Sequence, residues 1–400
     1  LAQNNGNKLV SDNFDFAKRQ MVHMLENIPQ GEAKMPHSIN GKGNTSCRSI
    51  YWWTSGFFPG ILWYINEYTG DKAFESFAKK WTEKLEPVKT FKGNHDIGFM
   101  MYCSFGNAYR LTQNEKYKDI LIQSAYSLAT RFNPQVGTIK SWDSWRSWEN
   151  KHVFKYPVII DNMMNLELLF WASKATGDPS FRNIAISHAE KTMKYQIRKD
   201  GSSYHLACYD PETGNFIKGE TSQGYSNEST WSRGQGWGIY GFTLCYRETK
   251  DPRFLKTAQR MADYYINHPN LPSDKIPWWD FDTHRPGFIP GKFSKTNKYI
   301  QNYRDASAAS VTASALLELS SYVKDDKKKI YTETALQILT SLSSPEYRAE
   351  EGKNGNFILK HSTGAIPHGS EVDVPLIYAD YYFLEALLRY NRMINNKPIL

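Results

Sequence analysis

The segment Thr176-Gly177-Asp178-Pro179-Ser180-Phe181 combines the signals that end one helix and begin the next. Glycine adopts the left-handed conformation that closes a helix, aspartate caps the N-terminus of the following helix, and proline is tolerated at its first position. The same form recurs along the chain, which predicts a fold built by repeating one helical hairpin. The clear copies begin at Thr69, Thr112, Thr176 and Thr249, and a weaker copy begins at Val323.

Each copy separates two kinds of helix. The segment before it is apolar on most faces, whereas the segment after it is amphipathic, as in the stripe Phe181, Ile184, Ala185, His188. Helices that are apolar all round are buried, so the first kind should form an inner ring and the second kind an outer ring. The predicted inner helices are 54–68, 95–111, 161–175, 234–248, 305–322 and 378–391. We therefore predict an all-α fold, an (α/α)6 toroid formed as one domain by residues 1–400, with residues 1–15 as an N-terminal extension.

Three long connections are rich in aromatic residues. Segments 137–157, 201–233 and 270–304 are longer than most connections in a compact fold, and such loops tend to be functional. We expect them to cover the end of the ring where the inner helices begin. Strand signals are weak, although the turn Asp210-Pro211-Glu212-Thr213-Gly214 predicts a short hairpin within 201–220.

Composition limits the classes of function. The 400 residues are 40% hydrophobic and include 12 Trp and 25 Tyr, which is enough for a large core and for sugar-stacking surfaces. The net charge of +8 is scattered and no nucleic-acid motif is present, so an acidic oligosaccharide is the better candidate partner. No apolar run is long enough to cross a membrane. Location in a bacterial periplasm or outside the cell is expected, with the cytoplasm as the alternative.

The cysteines give no sign of a metal or disulfide framework. They are Cys47, Cys103, Cys208 and Cys245. They are far apart and form no CxxC pair, and Cys103 and Cys245 lie in predicted core helices. His95 next to Asp96 suggests a metal ligand, but no spacing of His, Asp or Glu completes a site.

Two aspartates, Asp96 and Asp161, stand at the beginnings of two predicted inner helices within apolar stretches. A carboxylate in such a position costs desolvation energy unless it is hydrogen-bonded or its pKa is raised. Each could simply be an N-cap. Two on different inner helices that begin at one end of the ring instead suggest a shared acid/base site for a sugar substrate.

A second constellation is Ser229-Thr230-Trp231-Ser232-Arg233-Gly234-Gln235-Gly236-Trp237-Gly238. Arg233 opposes the dipole of the helix that it begins, so capping does not explain it, and its guanidinium can hold a carboxylate with two parallel hydrogen bonds. Trp231 or Trp237 can stack on a sugar ring. A glycine-assisted packing site with a core tryptophan is the simpler alternative. The other polar residues at predicted inner-helix starts are Asp305 and Asp380.

Several motifs, in order, resemble the unsaturated glucuronyl hydrolases of glycoside hydrolase family 88. The resemblance runs from about residue 50 to the C-terminus. The motifs are Trp53-Thr54-Ser55-Gly56-Phe57-Phe58-Pro59-Gly60, His95-Asp96-Ile97-Gly98-Phe99, Ile160-Asp161-Asn162-Met163-Met164-Asn165, Trp231-Ser232-Arg233-Gly234-Gln235-Gly236-Trp237 and Arg304-Asp305-Ala306-Ser307-Ala308. The resemblance implies the same (α/α)6 fold as the repeat does.

The resemblance also implies an activity and a set of roles. The family removes a 4,5-unsaturated uronic acid from the non-reducing end of lyase-generated oligosaccharides by hydrating the enol ether. It implies Asp161 as the general acid/base and Asp96 as the second carboxylate, with no metal or organic cofactor. The residues predicted to bind substrate are His205, Gln223, Trp231, Arg233, Trp237, Trp53, Trp142 and, in the loop that meets the following sugar, Ser370.

Three alternatives remain at this point. An unsaturated rhamnogalacturonyl hydrolase shares the fold and the chemistry. A polysaccharide lyase on the same toroid would use a Tyr/His/Asn cluster, for which Tyr204-His205 is a candidate, but it leaves the aspartate pair without a role. A non-catalytic sugar-binding toroid would keep the tryptophans without needing two buried acids.

Overall fold

The computed structural model describes residues 2–29 and 34–400, and in these residues α-helices dominate. The helices are α1 (Ala2–Asn27), α2 (Phe57–Thr69), α3 (Lys72–Glu83), α4 (Ile97–Met101), α5 (Asn107–Thr112), α6 (Glu115–Ala129), α7 (Leu166–Thr176), α8 (Pro179–Tyr195), α9 (Ser232–Thr249), α10 (Pro252–Asn267), α11 (Ala306–Ser320), α12 (Asp325–Leu342) and α13 (Ile377–Ile394). The short strands are β1 (Lys34–Ile39), β2 (Thr45–Ser49), β3 (Phe132–Asn133), β4 (Thr138–Ile139), β5 (Trp145–Arg146), β6 (Val153–Phe154), β7 (Pro157–Ile159), β8 (Leu206–Tyr209) and β9 (Phe216–Glu220).

The apolar helices form a closed inner ring, which confirms the predicted (α/α)6 toroid. Around the ring, α2 is followed by α4 and α5, then α7, α9, α11 and α13, and α13 packs back on α2. Each inner helix has an outer partner: α3, α6, α8, α10 and α12 follow their inner helices along the chain, and α1 packs on α13. The ring places every inner-helix N-terminus at one end, because inner and outer helices alternate in direction.

The repeated turns have the predicted chemistry in four copies. Asp71, Asn114, Asp178 and Asp251 each accept a hydrogen bond from the backbone amide two residues further on. The residues that close the preceding helices are left-handed, with φ between 54° and 75°. The weaker copy differs, since Lys324 precedes α12 and gives no side-chain cap.

Two inner helices are less regular than predicted. Between α4 and α5, residues Tyr102–Gly106 form a π-helical turn, and there Ser104 Oγ donates to the Met100 carbonyl at 2.6 Å. A 3-10 helix, Ile160–Asn165, precedes α7. The 3-10 helix contains Asp161, and such departures from α geometry are frequent at functional sites.

The predicted N-terminal extension, residues 1–15, overlaps α1 from Ala2 onward, and Leu1 lies outside the described residues. Val10 and Phe14 are fully buried, and Ala17, Met21 and Met24 continue the same stripe. Residues 2–15 therefore belong to an outer helix of the ring. This apolar stripe has helical spacing and can be seen in the sequence, but no copy of the repeated turn motif precedes it.

The long connections cover the N-terminal end of the inner ring, as expected. Strand β7, at the end of the first connection, joins β8 and β9 of the second in an antiparallel sheet in which Ile159 pairs with Leu206. The predicted hairpin within 201–220 is thus β8 and β9. The register matters for function, because it sets the residues that follow β7 beside those that precede β8.

A cavity of about 340 Å³ extends within the ring from Gly98 and Phe99 to the other ends of the inner helices. Its walls include Arg247, Glu385 and Arg389 together with Tyr240 and Tyr381. No helix in the described part of the chain has the length and apolar character needed to cross a membrane.

Candidate active site

Asp96 and Asp161 come together at the covered end of the ring. Asp96 directly precedes α4, and Asp161 lies in the 3-10 helix that precedes α7. Both are buried, and neither carboxylate caps its helix. Capping, the simpler interpretation of both residues, therefore does not account for them.

Asp161 is a buried acid with one oxygen left free. Its Oδ1 has no hydrogen-bond partner among the described residues. Burial raises the pKa of Asp161 to about 7, and the charge of Asp96 adds to this, whereas His95 and Arg233 oppose it. A carboxyl with a pKa near neutrality can donate a proton and take one back, which is what a general acid/base must do.

His205 faces Asp161 with its proton on a defined nitrogen. Its Nδ1 accepts hydrogen bonds from the backbone amides of Ser222 at 3.0 Å and Gln223 at 3.2 Å. Burial lowers the pKa of His205 well below its ordinary value, with Arg233, His368 and His95 contributing. The neutral ring must then carry its proton on Nε2, which lies 3.7 Å from Asp161 Oδ1.

The sheet explains why these two residues meet. Ile159 of β7 pairs with Leu206 of β8, so Ile160 and His205 are the next residues in register. The Ile160 amide donates to the His205 carbonyl at 2.9 Å. Asp161 and His205 are far apart in sequence but adjacent at the edge of this sheet.

Arg233 is wholly buried and partly engaged. Its Nη1 donates to the Thr363 carbonyl at 2.7 Å and lies 3.3 Å from Asp305 Oδ2, and its Nη2 donates to the Gly364 carbonyl at 3.0 Å. Its Nε has no partner among the described residues. A guanidinium has five N–H groups, so the edge formed by Nε and one N–H of Nη2 remains available to a ligand.

Aromatic rings enclose this guanidinium. Arg233 lies 4.5 Å from the ring centre of Trp231 and 5.1 Å from that of Tyr378. Trp231 also contacts His205, with ring centres 4.5 Å apart. Trp53 lies 4.7 Å from Tyr378, so it joins the same wall.

The remaining predicted residues differ in how they meet the site. Trp142 is half-buried, with its ring centre 6.5 Å from that of His205. Gln223 is half-buried and donates from Nε2 to the Gly364 carbonyl at 3.2 Å. Trp237 is fully buried against Phe99, and its Nε1 has no hydrogen-bond partner in the part of the chain that the structure describes.

Ser370 lies in the loop that also carries Thr363 and Gly364. It is exposed, and its backbone pairs with Ala365. The same loop places His368 at 4.9 Å from the ring centre of Trp148, with Nε2 3.0 Å from Ser222 Oγ. Ser370 therefore stands at the rim of the site and not in its interior.

Asp305 and Asp380 have structural roles at their helix starts. Asp305 caps α11 through the Ser307 amide and accepts from the Thr363 amide at 3.2 Å, besides holding Arg233. Asp380 accepts from the Ile358 and Leu359 amides at 2.8 Å and 2.9 Å. Both carboxylates therefore bind the chain segments that support the site.

Sequence reasoning passed over Tyr378, Asn165 and Glu371. Tyr378 begins the last inner helix, so its position was a usable signal. Glu371, beside His37, is largely buried over Gly364, a contact between distant loops that no local pattern indicates. No group of three or more His, Cys, Asp or Glu suited to a metal occurs in residues 2–29 and 34–400.

A buried acid beside a neutral imidazole is suited to proton transfer, and the neighbouring tryptophans are suited to contact with sugar rings. The chain belongs to glycoside hydrolase family 88, because the protein-family sequence model with the description "Glycosyl Hydrolase Family 88" matches residues 27–246. This family membership is also supported by individual relatives.

The unsaturated glucuronyl hydrolase of Formosa agariphila is 46% identical over 343 residues, which cover 86% of this chain and 80% of the relative. The unsaturated chondroitin disaccharide hydrolase of Streptococcus pyogenes serotype M1 is 34% identical, covering 84% of this chain and 81% of the relative. The crystal structure of an unsaturated glucuronyl hydrolase specific for heparin superposes with a TM-score of 0.88 at 44% identity, covering 98% of each chain.

Proposed function

We propose that this protein removes a 4,5-unsaturated uronic acid from the non-reducing end of acidic, glycosaminoglycan-type oligosaccharides. The observation that carries the proposal is Asp161, a buried carboxyl with a free Oδ1 and a pKa raised to about 7 by burial. Such a group is protonated in a useful fraction of molecules at neutral pH. It can therefore supply the proton that an electron-rich double bond needs.

The chemistry begins at the double bond of the uronic acid. Asp161 donates its proton to C4, and positive charge develops on C5 and the ring oxygen. Water then adds to C5 while the Asp161 carboxylate takes up one of its protons. The resulting hemiketal opens to a C5 ketone, and the hemiacetal left at C1 releases the next sugar.

Each neighbouring group has a part in this scheme. The Nε2–H of His205 stabilises the Asp161 carboxylate once its proton has left. The free edge of Arg233 holds the uronate carboxylate, because Nε and Nη2 match its two oxygens. Asp96 stabilises the positive charge that develops on the ring.

The remaining side chains define the shape of the binding site. The half-buried Trp53 and Trp142 offer ring faces to the sugar, and the nearly fully buried Trp231 supports the binding site by packing against His205 and Arg233. Trp237 contributes its Nε1–H, and Gln223 its amide beside Gly364. Ser370 at the rim meets the sugar that follows the uronate.

Charge and relatives support the acidic substrate class. The chain carries a net charge of +8, and Lys292, Lys295 and Lys298 are exposed on the segment beside the rim loop, where the Lys295 amide donates to the Pro367 carbonyl. Relatives are named for glucuronyl and chondroitin disaccharide substrates, and one related crystal structure is described as specific for heparin.

A direct test follows the ultraviolet absorbance of the double bond. Unsaturated disaccharides from chondroitin, heparin and rhamnogalacturonan should be incubated separately with the protein. Loss of absorbance with a uronyl-hexosamine substrate supports the proposal, whereas loss only with the rhamnogalacturonan product favours the sister activity. A gain of absorbance on intact polymer would indicate a lyase, and no change a binding protein.

Asp161→Asn should abolish most of this activity, by roughly three orders of magnitude or more, since the variant keeps the shape of the side chain but has no proton to give. Asp178→Asn is the matched control, because asparagine caps a helix about as well as aspartate and Asp178 lies in an outer turn. Substantial turnover by folded Asp161→Asn would overturn the assignment.

The position of the added oxygen separates hydration from ordinary glycoside hydrolysis. In water labelled with heavy oxygen, the proposed reaction labels the keto carbon of the product, whereas direct displacement labels the anomeric carbon. A saturated uronoside has no double bond to protonate and should be a very poor substrate. Equal rates on both substrates would contradict the mechanism.

A further inference from the structure

One helix cap near the site is supplied by an unexpected residue. Asp96 occupies the N-cap position of α4, but its side chain makes no capping hydrogen bond. The amide that an N-cap aspartate often takes is that of the third helical residue, here Phe99. That amide donates instead to Oδ1 of Asn165, at 2.9 Å.

Asn165 belongs to the segment that carries the other aspartate. It ends the 3-10 helix Ile160–Asn165, four positions after Asp161, and it is fully buried. The hydrogen bond to Phe99 therefore joins the two aspartate-bearing segments across 66 residues of chain.

Gly98 allows this close approach. A Cβ on Gly98 would lie 2.3 Å from Asn165 Oδ1 and 2.6 Å from Asn165 Cβ, far inside contact distance. Any side chain at this position would force the two segments apart. Gly98, which has no side chain, and the side-chain amide of Asn165 therefore pack closely together where the two segments meet.

We propose that Asn165 is a positioning residue, which caps α4 in place of Asp96 and so leaves the Asp96 carboxylate, whose Oδ1 lies 3.0 Å from His95 Nε2, uncommitted to its own helix and able to serve the reaction beside Asp161. The proposal rests on the proposed function, in which both aspartates act on the substrate. Without Asn165, the Phe99 amide would be open to the N-cap side chain of its own helix, Asp96, which would then turn toward that helix and away from the site.

The test is a double-mutant cycle on the unsaturated disaccharide. Asn165→Ala should lower kcat by about 100-fold with a smaller change in KM, as expected for a displaced catalytic group. In the Asp96→Asn background, the same change should lower kcat only a few-fold further, because no carboxylate remains to be displaced. Equal fold-losses in both backgrounds would overturn the proposal.

A pH profile gives a second measure. Asp161 is faced by Asp96 and His95 at the start of α4, by Arg233 on α9 and by His205 at the sheet edge. If Asp96 turns away, one of the charges that raise the pKa of Asp161 is lost, so the alkaline limb should move to lower pH. An unmoved limb in Asn165→Ala would count against the proposal.

Asn162→Ala is the matched control. Asn162 is equally buried in the same 3-10 helix, and its Nδ2 donates to the Ile139 carbonyl at 2.9 Å, away from α4. Its loss should not be coupled to Asp96→Asn in the cycle. Coupling as strong as that of Asn165 would show a general loosening of the helix and would contradict the proposal.

Two further measurements keep the test decisive. If Asn165→Ala does not fold, Asn165→Asp retains an acceptor for the Phe99 amide, and Asp96→Asn should then cost the same factor as in the wild type; a much smaller factor would contradict the proposal. A crystal structure of Asn165→Ala should show an Asp96 oxygen on the Phe99 amide, and an unmoved Asp96 would overturn the inference. This structural readout needs no activity, so it distinguishes failure of the inference from failure of the proposed function.

Discussion

At the scale of single residues, the protonation of Asp161 links activity to stability. Its pKa is raised from an ordinary 3.8 to about 7, chiefly by burial. The folded state therefore holds this proton more tightly than the unfolded state, and stability falls as pH rises from about 4 through 7. Above that range the full cost of burying the charge is present.

Asp161→Asn should accordingly stabilise the fold at about pH 8 and leave it nearly unchanged at about pH 4. The gain is at most about 4 kcal/mol, from the size of the pKa shift. Urea unfolding at both pH values measures it. Asp178→Asn should instead destabilise the fold more at about pH 8 than at about pH 4. The reason is that hydrogen bonds from the Ser180 amide and hydroxyl lower the pKa of Asp178, so its carboxylate stabilises the folded state most at the higher pH. No pH-dependent gain in Asp161→Asn would contradict the buried-acid interpretation.

Arg233 provides a second prediction at this scale. Arg233→Lys keeps the charge but loses both the fork on Thr363 and Gly364 and the free edge proposed for the uronate. We expect kcat/KM for the unsaturated disaccharide to fall by roughly 10–100-fold, the range for a lost hydrogen bond to a charged group. Steady-state kinetics measure this.

Arg198→Lys is the corresponding control. Arg198 also donates to backbone carbonyls, including that of Ser203 at 3.1 Å, and lies 4.0 Å from the ring centre of Tyr204. Its replacement should lower stability with little effect on kcat/KM. Comparable kinetic losses in both variants would mean that Arg233 acts only by holding the fold together.

At the scale of helices and strands, the sequence predicts more of the structure than it does for the hydrogen bonds between side chains and distant segments. The repeated turn motif at Asp178 is a local signal, because the aspartate that caps the helix and the Ser180 amide that it caps lie two residues apart. The buried inner helices follow in the same way from composition. In contrast, the Phe99 amide finds its acceptor in Asn165, and Arg233 finds carbonyls in a loop 130 residues further on. Such pairings depend on the closed ring, so one sequence read locally cannot supply them.

The packing of α9 on the 3-10 helix gives a prediction at this scale. A Cβ on Gly241 would lie 2.4 Å from Met163 Cβ, so Gly241→Ala must push α9 away from the segment that carries Asp161. We expect a loss of about 1–3 kcal/mol in unfolding free energy, the usual cost of overpacking, together with lower turnover. Urea unfolding and kinetics measure the two effects.

Gly41→Ala is the control for that change, because a Cβ at Gly41 has no atom within 4 Å. It should leave both stability and turnover close to those of the wild type. If Gly241→Ala were equally harmless, α9 would not set the position of Asp161.

At the scale of the whole molecule, the two ends of the ring have different electrostatic designs. At the active-site end, Asp161 Oδ1 and Arg233 Nε have no hydrogen-bond partner among the described residues. Around the opposite cavity Arg389 Nε also lacks a partner there, but Glu385 accepts from the hydroxyls of Tyr64, Tyr240 and Ser314 at 2.6–2.8 Å. Arg389 donates to the Ser314 carbonyl and to Tyr240. The first end is arranged for a ligand and the second for the stability of the ring.

Removing one member of the second cluster should therefore destabilise the fold. Arg389→Met leaves Glu385 buried without its cation, whereas Glu318 keeps Arg247, and breaking a buried pair in this way typically costs about 3–5 kcal/mol. Urea unfolding measures the loss. Arg253→Met removes an exposed ion pair and should change stability little. Equal stability of both variants would show that the cluster does not hold the ring.

The contact of α1 and α2 with α13 also constrains how the chain folds. Tyr64 of α2 donates to Glu385 of α13 across 321 residues. Helix α1 packs on α13, and its Gln20 also donates to the carbonyl of Phe357, in the segment before α13, across 337 residues. Such remote contacts form late, because the loop between the partners must close before they contribute. During synthesis, a nascent chain still lacking its last helix leaves the apolar surfaces of its first two helices exposed to water. In that interval the chain depends most on chaperones, since unpaired apolar surface is what drives aggregation.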